Sequence, residues 1–130
     1  METETLRVVK TIYEAGARGD IATALAQYHP DCAVHEPDSL PFGGLWQGPA
    51  GIGQVLGIVF QVFDKFEPRP QAFIADGERV AVLVDLTVRV RKTGEELTMP
   101  LLELYTVRDG QVVEFRPFYW DTARVLAALA

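Results

Sequence analysis

Apolar residues recur every third or fourth position through the first half of the chain and every second position through most of the second half. Leu6, Val9, Ile12, Tyr13 and Ala17 share one face at helical spacing, which predicts a first helix. Arg18-Gly19-Asp20 breaks it: Gly19 suits the position after a helix end, and Asp20 can cap the next helix. That second helix runs from Ile21 to Tyr28, with Pro30 helping to end it. Cys32 to Glu36 reads as a brief strand closed by Pro37, and the Gly- and Pro-rich stretch from Asp38 to Gly51 as a loop. Helical spacing returns from Ile52 to Phe66.

The second half alternates. Gln71 to Ala75 predicts a strand, followed by a turn at Asp76-Gly77-Glu78. In the strand from Val80 to Val90, Val82, Val84, Leu86, Val88 and Val90 lie on one face, with Leu83, Asp85, Thr87 and Arg89 on the other. Strands from Leu97 to Val107 and from Val112 to Trp120 follow, joined at Asp109-Gly110, and Asp121 to Leu129 predicts a terminal helix. Helices first and an antiparallel meander later give an α+β class, with helices on one face of a curved sheet. The length, 130 residues, fits one domain over residues 1–130.

Charge narrows the partners. Eighteen acidic against 12 basic residues leave a net charge of −6, which argues against nucleic acid or an anionic membrane as partner. No apolar stretch is long enough to span a bilayer. The single cysteine, Cys32, excludes an internal disulfide and fits a reducing compartment. Met1-Glu2-Thr3-Glu4 lacks the basic and apolar regions of a signal peptide, so the expected location is the cytoplasm. The two histidines, His29 and His35, offer no metal-ligand spacing, and no metal is expected.

Glu103 is the residue that points to chemistry. It lies within Pro100-Leu101-Leu102-Glu103-Leu104-Tyr105, where a stranded charge costs several kcal/mol unless it is paired, hydrogen-bonded or protonated. A buried acid with a raised pKa is also what proton transfer needs. Alternation puts Glu103 with Leu101, Tyr105 and Val107, and puts Val113, Phe115, Pro117, Tyr119 and Asp121 on one face of the last strand. With that face toward the helices, Glu103 and Asp121 are expected on the same concave surface. Glu36, between Val34 and Pro37 and before a Gly-rich loop, has the address of a pocket rim. His35 alternates away from Glu36, and Asp121 also fits a helix cap before Thr122. Glu114, Phe118 and Trp120 fall on the opposite face, where exposed aromatics suit a dimer interface.

Several segments together resemble the NTF2-like superfamily, in its SnoaL-like and ketosteroid isomerase-like branch. They are Arg18-Gly19-Asp20-Ile21, Tyr28 through Pro37, Trp46-Gln47-Gly48-Pro49-Ala50-Gly51-Ile52 and Phe118-Tyr119-Trp120-Asp121. The resemblance implies a cone-shaped, cystatin-like α+β fold: N-terminal helices packed on a strongly curved, mostly antiparallel sheet around an apolar pocket. It implies Glu36 as the carboxylate that shuttles a proton and Glu103 as a protonated donor to an oxyanion, the latter a known case in isomerases of this type. Asp121 resembles the acid ending the last strand in SnoaL-like cyclases and limonene epoxide hydrolase-like enzymes. Tyr13 stands about one residue from the oxyanion-donor position of the first helix. The expected catalytic set is therefore Glu36, Glu103 and Asp121, with the base either Glu36 or Asp121. Tyr13, His35, Trp46, Tyr105, Tyr119 and Trp120 are the candidate ligand contacts. The implied activity is cofactor-independent acid/base chemistry, of isomerase or polyketide cyclase type, on a small hydrophobic carbonyl compound, in a homodimer. Alternatives on the same fold are a non-catalytic ligand binder or scaffold and an epoxide hydrolase. The hydrolase pattern pairs an arginine with an acid on a central strand, and Asp85 has no such inward partner.

Overall fold

The computed structural model describes residues 2–130. Helix α1 spans Glu4–Ala17, capped by Thr3, whose side chain accepts from the Leu6 amide. Gly19 takes the left-handed conformation that ends it (φ 75°), and Asp20 caps α2, Ile21–Ala26. Then come β1 (Tyr28–Glu36), β2 (Gly44–Gln47), α3 (Gly48–Val62), β3 (Phe63–Asp76), β4 (Arg79–Val90), β5 (Glu96–Arg108), β6 (Gln111–Tyr119) and α4 (Thr122–Leu129). The class is α+β, and the strands form one six-stranded curved sheet in the order β2-β1-β6-β5-β4-β3. All neighbours are antiparallel except β1 and β6, which run parallel.

The alternation read from β4 holds. Val82, Val84, Leu86, Val88 and Val90 are buried and face the core formed with Val9, Val55 and Val59 of the helices. Three expectations change at element boundaries. The second helix stops at Ala26, so Tyr28 opens a strand, and Pro30 is tolerated there because the pairing of β1 with β6 shifts between Tyr28 and Ala33. The stretch expected as loop contains β2, which pairs with β1 from Ala33–Gln47 to Glu36–Gly44. The third helix starts at Gly48 and ends at Val62; Phe63 to Phe66 belong to β3, which pairs with β4 along its length. Phe63 and Phe66 lie three apart, a spacing that helix and bulged strand both satisfy, and a register shift sits between Phe63 and Lys65.

A bulge also corrects one facing assignment. Thr106 pairs with Glu114 but Val107 with Val112, so Val113 is the extra residue. Val112, not Val113, is the fully buried side chain, while Phe115, Pro117 and Tyr119 keep the expected face.

Candidate active site

The register of three strands brings two glutamates together. Glu103 on β5 pairs with Pro117 on β6. Val34 on β1 aligns with Phe115 on β6, so two residues further along the parallel pair Glu36 lies beside Pro117. Glu36 and Glu103 thus occupy one row, two inter-strand spacings apart, roughly 10 Å between backbones. Pro117 between them presents only a short ring, so no tall side chain separates the carboxyls.

Both line a cavity of about 510 Å³ enclosed by α1, α2, α3 and the concave side of the sheet. Its exposed lining residues include Ile21 and Phe60 from two helices, with Glu67, Arg69 and Pro70 of β3, so the cavity reaches the surface there. Tyr13 enters from α1, where helical spacing with Val9 turns it inward. Its hydroxyl donates to Glu103 Oε1 at 2.5 Å and accepts from the Tyr105 hydroxyl at 3.0 Å. The three are 8%, 8% and 2% exposed, so the relay is buried. Ring packing holds it: Tyr13 meets Phe73 edge-on at 5.8 Å and Tyr105 at 6.0 Å, and Tyr105 packs on Phe115 at 4.8 Å.

The two acids differ in what surrounds them. Burial raises the Glu103 carboxyl to about 7, and the hydrogen bond from Tyr13 pulls the other way because it favours the ionised form. Glu36 has no such donor. Its Oε2 is buried with no hydrogen-bond partner, and burial, then the charge of Glu103, raises it to about 8. Burial likewise pushes up the hydroxyls of Tyr13, Tyr28, Tyr105 and Tyr119, each of which also feels the charge of Glu103. These are all four tyrosines of the chain, and all four line the cavity.

Glu36, Glu103, Tyr13, Tyr105 and Tyr119 therefore converge on one cavity. The other candidates do not. Asp121 lies beyond the end of β6, exposed, and its carboxylate caps α4 by accepting from the Arg124 amide at 3.1 Å. The expectation that it shares the concave surface with Glu103 fails because the strand ends at Tyr119 and the chain turns into the helix. The same placement removes the acid that epoxide hydration needed beside a second pocket acid. His35 points to the other side of the sheet, into an outer groove with Arg116 and Phe118. Trp46 packs against the core and donates from Nε1 to the Phe42 carbonyl at 3.0 Å, while Phe42 forms part of the cavity wall. Trp120 is 78% exposed. Tyr28, expected at the end of the second helix, instead opens β1 and faces the cavity; the helix stops at Ala26, and no local pattern marks Tyr28 as a strand residue. Among the described residues, no three His, Cys, Asp or Glu side chains come together in a way that would hold a metal ion.

Residues 9–115 match the family model of the SnoaL-like domain. An NTF2-like protein from Burkholderia pseudomallei is 25% identical over 99% of both chains, with a TM-score of 0.92. TerC, co-crystallised with polyporic acid, is 25% identical over 98% of both chains, with a TM-score of 0.90. A protein named as a SnoaL-like polyketide cyclase, from Jannaschia sp. CCS1, is 21% identical over 98% of this chain and 92% of its own, with a TM-score of 0.84. No curated protein sequence is a significant match to the chain.

Proposed function

The chain belongs to the SnoaL-like domain family, and from that premise we propose that its cavity takes a small hydrophobic carbonyl compound and moves a proton on it by general acid/base catalysis of isomerase or cyclase type. The observation that carries this reading is the pair of glutamates, Glu36 and Glu103, in one apolar cavity with different hydrogen-bond environments. That TerC, which shares this fold, was co-crystallised with the small molecule polyporic acid supports a small-molecule role.

Tyr13, itself receiving a hydrogen bond from Tyr105, donates to Glu103, so Glu103 is the acid better suited to carry the charge. Glu103 then serves as the base that takes a proton beside the carbonyl, and neutral Glu36 donates to the carbonyl oxygen as the enolate develops. This reverses the roles that the resemblance implied for the two acids, and the hydrogen bond from Tyr13 is the reason. The base needs to be ionised, above about pH 7, and the acid protonated, below about pH 8, so activity peaks between those values.

The test is exchange of the hydrogens beside the carbonyl in heavy water, followed by NMR over a panel of 3-oxo steroids and related enolisable ketones. Glu103→Gln removes the base and is expected to slow exchange by roughly 10²- to 10⁴-fold. Glu36→Gln retains an amide donor, so it keeps more activity and loses the alkaline fall in rate. Undiminished exchange in both variants would sink the mechanism.

A further inference from the structure

The cavity is unusual in the balance of its charges. Its inner end, at β1, β6 and β5, holds Glu36 and Glu103, and among the described residues the one cation lining this cavity, Arg69, sits at the rim on β3, within 3.9 Å of Glu67 and donating to Thr87. Glu36 also borders the outer groove, where His35 and Arg116 lie. Glu36 Oε2 is buried and accepts from nothing. Tyr28 and Tyr119 both lie close enough to Glu36 and Glu103 to feel their charges, and Tyr105 and Phe115 complete an aromatic wall on that side. An orphaned acceptor, a second carboxylate and several ring faces together ask for a donor that carries positive charge.

We infer that the inner end of this cavity is a binding site for a protonated amine borne on an apolar body. The ammonium donates to Glu36 Oε2 and pairs with Glu103 while its flanks rest on the tyrosine and Phe115 rings. The apolar body fills the channel toward Ile21 and Phe60; the two charges that line the mouth, Glu67 and Arg69, lie 3.9 Å apart and offset one another. A carboxylate or phosphate of the same shape is refused, because it brings a third negative group into a space of low dielectric with no cation to meet it. The proton that the two acids hold near neutral pH leaves as the ammonium enters, so binding is accompanied by proton release. The inference rests on the cavity being a small-molecule site and is independent of whether that site performs catalysis.

The test uses three probes of one shape on the full chain at pH 7.5: 2-naphthylethylamine, 2-naphthylethanol and 2-naphthylacetate, by titration calorimetry in two buffers of different ionisation enthalpy. The amine is expected to bind about tenfold or more tightly than the alcohol. Its apparent enthalpy should shift between buffers in the sense of proton release, and the acetate should not bind. In Glu36→Gln, whose fold is checked by circular dichroism, the advantage of amine over alcohol is expected to disappear while the alcohol still binds. Acetate binding as tightly as amine, amine binding no better than alcohol, or an amine advantage that survives Glu36→Gln overturns the inference while leaving the small-molecule reading standing. Failure of all three probes to bind removes both.

Discussion

A carboxyl oxygen buried without a donor is tolerated as part of a neutral acid and opposed as part of an anion, and Glu36 Oε2 is in that position. The consequence is a dependence of stability on pH. In the unfolded chain both glutamates titrate near 4.5; folded, Glu103 holds its proton to about 7 and Glu36 to about 8. Below pH 4.5 the two states bind the same protons and the stability associated with these acids is fully present. Above it the folded state binds more protons than the unfolded one, so stability falls with rising pH through about 8, where Glu36 is half ionised, and levels off only above that. At about 1.4 kcal/mol per pKa unit, the loss across that window is expected to be on the order of several kcal/mol. Urea unfolding from pH 5 to pH 8 measures it. Glu36→Gln should flatten the slope and be the more stable protein at pH 8, because the amide carries no charge to bury. A wild-type stability that rises over the same range contradicts the environment assigned to Glu36.

Asp121 shows how an element boundary decides a residue's role. Alternation along β6 carries it to the inward face on paper, but β6 ends at Tyr119 and α4 needs a cap. Asp121→Ala is therefore expected to cost about 0.5 to 2 kcal/mol of stability, the range for a lost helix cap, and Asp121→Asn much less. Neither should change exchange chemistry or ligand affinity, and a loss of activity in Asp121→Asn at unchanged stability would return this residue to the site. The same boundary logic explains what the sequence made legible. Long elements with one clear period were readable: α1, β4 and β5, and with them the inward faces of Tyr13, Glu103 and Tyr105. What was hidden depends on pairing between distant segments. The partnership of β1 with β6 places Glu36 beside Pro117, and β2 exists only because β1 supplies its hydrogen bonds. Tyr28, on the wrong side of a helix end, was lost for the same reason. The assignment of acid and base waits further still, on which glutamate Tyr13 reaches.

At the scale of the whole molecule, the outer side of the sheet is the counterpart of the cavity side. Leu83, Leu102 and Phe118 pair directly across β4, β5 and β6, giving an apolar row through the middle of that face. Leu83 is 44% exposed and Phe118 48%, and Trp120 stands at the end of the same face with its amide donating to the Pro100 carbonyl. Apolar rows of this kind across the centre of a sheet mark association surfaces more often than solvated ones. Charges sit at opposite corners: Asp85 pairs across to Pro100 at one, Arg116 to Leu104 at the other. A two-fold axis lying in the interface plane brings Asp85 of one copy toward Arg116 of a second while the central rows meet, the self-complementarity that a symmetric dimer requires. We propose on these grounds that the chain self-associates through its outer sheet face. The edges are poor alternatives, since β2 is short and β3 carries Pro68 and Pro70 along its length. Sedimentation velocity at micromolar concentrations is expected to give a dimer for the wild type and a monomer for Phe118→Lys, with the far-ultraviolet circular dichroism of the two superimposable. Because the cavity opens on the helical side, the monomeric variant should still bind the amine probe. A wild type that sediments as a monomer across the concentration range removes the outer face from consideration as a dimer interface.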